Sequence, residues 1–357
     1  MHADSNLMHA AASGAVTITG GRTVVRRSHA PLGRVLPYRR AAGEAPRPAS
    51  TRTNGWAVQI LSESLGDMLL ALGAVAAFHD AFPDLNVKYS GSRRDLMSRC
   101  LLPMTLQDRP GPETFTAGHP ADFFSADPER SPAWLDPIDH EHTDVHAALP
   151  MRYYLEVEQL LGMSLPAKLA PALAFAGSGH SDPWHVVFVS ATSWPGRKDY
   201  GLDGFVEIAH WMKTMQPGPW RFTLIPGATE PATAAPGISV LTRRAATECL
   251  DVFAAAALVI GNDTGLTHLA ALTQRDDGTS PQVIGLYGRH AHNKWTTGRG
   301  NHHAIATAFS QRLSAADRCP VRDKIDDRLW GSAADIHSIP ASGVASFALN
   351  QIAARRS

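Results

Sequence analysis

The chain has 357 residues, of which 44% are hydrophobic and 18% charged, and its formal net charge is zero. That length holds about two domains, each large enough for its own core. A zero balance excludes the global positive field with which nucleic-acid and anionic-membrane binders gather their partners.

Cys100, Cys249 and Cys319 are scattered and form no C-x-x-C pair. Neither a disulfide framework nor a cysteine zinc site is expected, and a reducing compartment fits. No apolar run reaches the ~20 residues of a membrane span, and the N-terminus lacks a signal-peptide core. The expectation is a cytoplasmic protein with no transmembrane segment and no nucleic-acid partner.

Residues 1–54 differ from the rest, with eight Arg against two acids, Asp4 and Glu44. Ala15–Val25 could form a small hairpin around Gly20-Gly21, and four prolines then predict irregular chain. This segment reads as a basic N-terminal extension. A first β-α-β unit follows: strand Ala57–Leu61, loop Ser62–Asp67, helix Met68–Phe82 and strand Val87–Ser90. Asp67 stands at the helix start, where capping is its bland role.

Between Pro103 and Pro150 the chain is rich in Pro, Asp and His. His140, His142 and His146 lack a clean helical ligand spacing, so a loop is expected there and no metal. Ala176–Pro183 reads as an interdomain linker. Beyond it come a buried strand at His185–Val189 and the loop Ser190–Lys198. A helix over Leu202–Met215, a strand at Arg221–Ile225 and a helix over Glu248–Ala256 continue the alternation.

Ala257–Gly288 is the most informative stretch. Ala257–Ile260 has the length and β-branching of a buried strand. Gly261-Asn262-Asp263 breaks it, with Asp263 the expected N-cap of a helix carrying Leu266, Leu269, Ala270 and Leu272 on one side. Strand Gln282–Tyr287 closes the unit. Such a unit aims the helix N-terminus at the carboxyl edge of a parallel sheet, where ligands bind. Asp263, Thr264, Gly265, Thr267 and His268 are the polar residues at that edge. Thr264 and His268 share a face at i, i+4 spacing, and Gly265 lets a ligand approach the backbone. An anion such as a diphosphate is a natural guest. The alternative is an ordinary capped helix with a core histidine. After Gly288 comes a loop dense in basic and aromatic groups, Arg289 to Arg299, and Ala341–Ala354 reads as a terminal helix.

Three blocks in order resemble glycosyltransferase family 9, the heptosyltransferases. They are SESLGDMLLALGAVAAFHDAFPDLNVKY at 62–89, VVFVSATSWPGRKDYGLDGFVEIAHWM at 186–212, and NDTGLTHLAAL at 262–272 with QVIGLYG at 282–288. The resemblance spans roughly 56–350. It implies an α/β chain of the GT-B fold, with two Rossmann-like domains facing across a cleft. On that template 1–54 is the extension, 55–175 the acceptor-side domain, 176–183 the linker, 184–340 the donor domain, and 341–357 a helix packing back on the first domain.

The implied chemistry is inverting, metal-independent transfer of a heptose or related sugar from a nucleotide-diphosphate donor to an acceptor hydroxyl. No cofactor is expected. By the same resemblance Asp67 is the general base, with Glu63 its rival in the same loop, and Lys198 stands beside the donor diphosphate. Thr192 and Ser193 form the phosphate-side hydroxyl loop. Asp263, Thr264, Gly265 and His268 are the donor-diphosphate motif, and Glu230 bonds the ribose. The chain departs from the family pattern at Arg289-His290-Ala291-His292, where a Pro-Thr-type turn is common. The acceptor is read as a natural-product or other glycoconjugate hydroxyl, against a lipopolysaccharide core. A binding protein that has lost transfer is the reading from a different class.

Overall fold

The structure is a computed structural model that describes residues 15–19, 56–60, most of 64–108, 114–117, 150, 172–227, 235–242, 245–316 and 331–356. Two separate sheets carry it, parallel except for one edge strand, and each follows the winding rule of nucleotide-binding α/β folds.

The first sheet holds β2 (Trp56–Ile60), β3 (Val87–Tyr89), β4 (Met104–Leu106) and β5 (Thr114–Ala117), in the spatial order β4-β3-β2-β5. All its pairings are parallel. The chain winds outward from β2 to β3 and β4, then returns to lay β5 on the other side. The strand order therefore reverses at β2, the strand that feeds helix α1 (Leu65–Ala81).

The second sheet contains β7 (Asp182–Val189), β8 (Arg221–Ile225), β9 (Ile238–Val240), β10 (Ala256–Asn262), β12 (Gln282–Tyr287) and β13 (His302–Thr307). Their order is β13-β12-β10-β7-β8-β9, with every one of these pairings parallel. Here the winding reverses between β7 and β10. Ligands of doubly wound sheets sit outside the carboxyl ends of the strands at such a reversal. That rule selects the loop after β7, which carries Lys198, and the turn after β10, which carries Asp263.

The strands read as near-continuous apolar runs because both faces are covered. On β7, Val187 and Val189 join one apolar cluster while Val186 and Phe188 join another across the sheet. The first cluster runs from Met68, Leu72 and Val75 of α1 to Phe253 of α5 (Ala246–Ala255) and Leu269 and Leu272 of α6 (Gly265–Leu272). Helix α6 is apolar nearly all round, as a helix buried between layers must be. Its packing on α1 joins the two sheets through one core.

Several expectations are met closely. Leu202–Met215, Arg221–Ile225 and Gln282–Tyr287 form with the bounds read from the sequence. The terminal helix forms at Ala341–Arg356, but its packing is corrected. Among the described residues it lies on the helix Leu202–Met215 of the second half, not back on the first. Val344, Ala345, Ala348 and Ile352 bury with Phe205, Ile208 and Met212 over Ile260, Ile284 and Leu286. A single helix would leave those central strands wet on that face, and the terminal helix covers the remainder. The described part of the suggested hairpin, β1 (Ala15–Thr19), pairs antiparallel with β13 at the sheet edge, while residues 20–25 lie outside the described residues. The linker's first residue, Ala176, sits in β6 (Phe175–Ala176), which pairs with β11 (Thr273–Gln274).

Candidate active site

At the reversal point of the second sheet, a buried carboxylate gathers three basic side chains. Asp263 is 5% exposed, and its Oδ2 lies 2.9 Å from Lys198 Nζ and 2.9 Å from His290 Nδ1. His268 Nε2 lies 3.9 Å from the other oxygen. Burial alone would raise the Asp263 pKa, but Lys198 and the His290 bond outweigh it. The carboxyl is held well below the ordinary carboxylate range. A permanent anion at this place cannot itself receive a diphosphate. It pairs instead with the Lys198 ammonium and the His290 ring.

The expected N-cap is therefore corrected. Helix α6 starts at Gly265, its N-cap is Thr264 in extended backbone, and no side chain caps it. Asp263 lies one residue too early to cap, and its Oδ2 is drawn sideways to Lys198 and His290. The Thr264 hydroxyl, which makes no cap bond, stands half-buried at the helix mouth beside uncapped N–H groups. His268 follows one turn later, 3% exposed, with its N–H donating to the Thr264 carbonyl at 3.1 Å. Burial pushes the imidazole down to about 4, against the pull of Asp263 and with Lys198 adding to the fall. It is neutral near pH 7. Its Nδ1 is buried with no hydrogen-bond partner among the described residues.

The first sheet brings its own helix mouth to the same point. A Cβ built on Gly66 would meet His268 Cδ2 at 3.4 Å and Gly265 Cα at 3.5 Å. Asp67, the next residue, lies half-buried in the first turn of α1 and acts electrostatically on His268, favouring its protonated form. So the structure brings Asp67, Lys198, Asp263, Thr264, Gly265 and His268 into one neighbourhood built on both reversal points.

Other predicted residues stand further out. Thr192 Oγ1 accepts a turn bond from the Trp194 N–H at 3.3 Å, and Ser193 is exposed on the same loop. Glu63 and Glu230 lie outside the described residues, as does the histidine-rich segment 139–146. Among the described residues there is no group of metal-ligating side chains.

Two residues were missed. His290 binds Asp263 directly, and Trp194, half exposed, lies 6.3 Å from the His290 ring with the Arg197 guanidinium 5.0 Å over its indole. The signal was present for His290: it follows the carboxyl end of β12 by three residues, where ligand loops begin.

Residues 153–320 match the family model of glycosyltransferase family 9 (heptosyltransferase). The fold has solved counterparts. Heptosyltransferase WaaC of E. coli, solved with ADP, is 14% identical, with a TM-score of 0.55 over 83% of this chain and 99% of that one. A glycosyltransferase family 9 protein of Veillonella parvula is 11% identical, with a TM-score of 0.55 over 84% and 98%. TibC of enterotoxigenic E. coli, a dodecameric iron-containing heptosyltransferase solved with ADP-D-beta-D-heptose, is 14% identical, with a TM-score of 0.50 over 85% and 77%. No curated protein sequence matches the chain.

The doubly wound sheets, the family match and these counterparts define a glycosyltransferase, with structural neighbours of the GT-B fold. Within that class, residues 153–320 carry the match to the glycosyltransferase family 9 (heptosyltransferase) model. The match covers the blocks with Lys198 and Asp263–His268. It does not reach the block with Asp67.

Proposed function

We propose that the protein transfers a sugar, with inversion and without a metal, from a nucleotide-diphosphate donor to an acceptor hydroxyl. One observation carries this reading. The N-terminal turns of α1 and α6 meet at Gly66 and Gly265, with Asp67 on one side and Thr264, His268 and Lys198 on the other.

In this reading the donor diphosphate lies at the mouth of α6. Backbone N–H groups there, the Thr264 hydroxyl and Lys198 offset the charge that grows on the leaving group. A diphosphate competes with Asp263 for Lys198, and Asp263 keeps His290 as its partner. The buried Nδ1 of His268 gains a partner from the donor. On the opposite side, Asp67 takes the proton from the acceptor hydroxyl as its oxygen bonds to the anomeric carbon. The bond from that carbon to the diphosphate oxygen breaks on the other face, which inverts the centre.

The acceptor reading, a natural-product or other glycoconjugate hydroxyl, rests on the sequence. It is motivated by the departure at Arg289–His292 and by the divergent segment 103–150. The role of Glu230 toward the ribose rests on the resemblance.

The test is calorimetry with ADP, the nucleotide in the WaaC structure, and with UDP beside it. Thr264→Ala and Lys198→Ala should each weaken binding of the preferred diphosphate by about tenfold or more, since a hydrogen bond to a charged group is worth ~1.5–3 kcal/mol. Unchanged affinity in two folded variants contradicts the donor site.

A further inference from the structure

We infer that Asn262 is a positioning residue: its side-chain amide clamps both feet of the loop that carries Lys198 and so sets where that ammonium stands.

The loop runs from Ser190, where β7 ends, to Tyr200, just before the helix Leu202–Met215. It cannot hold itself. Ser193, Trp194, Pro195, Gly196 and Arg197 are all exposed, and its one helical turn is Pro195–Lys198. A turn that short and that wet has no stability of its own.

Asn262 supplies the missing restraint from the neighbouring strand. The register of β10 with β7 sets Gly261 opposite Val189, which brings Asn262 level with the loop's first residue. Asn262 is fully buried. Its Nδ2 donates to the Ser190 carbonyl at 2.9 Å and to Asp199 Oδ1 at 3.0 Å. Its Oδ1 accepts from the Tyr200 N–H at 3.0 Å. Both N–H bonds and the carbonyl are therefore in use, one at the outgoing foot and two at the returning one.

The returning foot is itself anchored. Asp199 Oδ1 also accepts from the Gly201 N–H at 2.9 Å, and the buried Tyr200 donates its hydroxyl to the Ile339 carbonyl at 2.7 Å. Consecutive residues then meet in step: Asn262 holds 199 and 200, and Asp263 pairs with Lys198. The ammonium's place follows from the amide clamp rather than from the long, rotatable lysine stem.

The chemistry at this position is specific. An aspartate has the same shape but would turn a second oxygen toward the Ser190 carbonyl and the Asp199 carboxylate. Alanine would take one hydrogen bond each from the Ser190 carbonyl, the part-buried Asp199 carboxylate and the Tyr200 N–H.

The consequence for donor binding rests on the function proposed above, so the test has one arm that does not depend on it. In the first arm, Asn262→Ala, Asn262→Asp and the milder Asp199→Ala are compared with the parent. Amide exchange over 192–199 and the acylation rate of Lys198 by an amine reagent are read by peptide mass spectrometry. Both should rise about tenfold in the Asn262 variants, and less in Asp199→Ala, while amides in Gln282–Tyr287 stay protected. Rates at 192–199 that match the parent, or that rise only together with those of Gln282–Tyr287, overturn the inference.

The second arm is an ADP-binding cycle. If Asn262 acts through Lys198, Asn262→Ala weakens binding in the parent but adds nothing to Lys198→Ala. Fully additive losses overturn the inference and leave the donor site standing. Parent-like ADP affinity in Lys198→Ala overturns the donor reading, and the first arm still decides the clamp.

Discussion

Gly66 and Gly265 pack backbone against backbone, one from each half of the molecule. A Cβ on Gly265 would lie 2.6 Å from the Gly66 nitrogen and 2.8 Å from Leu65 Cβ, while one on Gly66 would find nothing nearer than 3.4 Å. The contact is therefore asymmetric. Gly265→Ala forces the two helix mouths apart and should cost ~1–3 kcal/mol of stability, the usual cost of overpacking. Gly66→Ala gains helix propensity, up to ~1 kcal/mol, and should be neutral or stabilising. Denaturant midpoints of the two variants check this. Equal effects would mean that the halves do not meet here.

The buried histidines make stability depend on pH. Burial holds His268 and His303 at about 4, against an ordinary value of 6.5. The unfolded chain binds protons below pH 6.5 that the folded chain refuses. Stability is thus complete above that pH and is lost as pH falls toward 4. For His268 the loss is on the order of 3 kcal/mol at the low end. Urea midpoints should fall between pH 7 and 4.5, with a shallower slope in His268→Gln. A flat profile in the parent would show that these rings protonate freely in the fold.

Metal independence is tested by chelation. Lys198 and the mouth of α6 can supply the positive charge that a cation would otherwise bring to a diphosphate. Turnover should survive dialysis against EDTA. Loss of activity, restored by magnesium, manganese or iron, would place a cation in the reaction.

Much of the fold was legible because parallel strands buried on both faces leave long apolar runs, as at Ala257–Ile260 and Gln282–Tyr287. The two carboxyl-edge loops were legible for the same reason. Three features were not. Asp263 looked like a cap because Asp often caps, and nothing local announced that Lys198, 65 positions earlier, would claim its carboxylate. The resemblance puts the terminal helix on the first half, yet it packs on the second, since its apolar residues fit either half. His290 was hidden in a loop rich in basic and aromatic groups, and only the third dimension singles out the ring facing Asp263.

The central claim is that Asp67 is the base that deprotonates the acceptor. It stands in the first turn of α1, beside the glycine contact and within electrostatic reach of His268. Asp67→Asn keeps size and helix-capping ability but cannot take a proton. The decisive measurement is turnover of Asp67→Asn alongside its affinity for the nucleotide diphosphate. The account predicts a fall in kcat of about 10²–10⁴-fold, the usual worth of a general base, with diphosphate affinity unchanged because the lost interaction belongs to the transition state. Near-parental turnover, with the fold and affinity intact, would remove Asp67 from the mechanism and leave it as a helix-start residue.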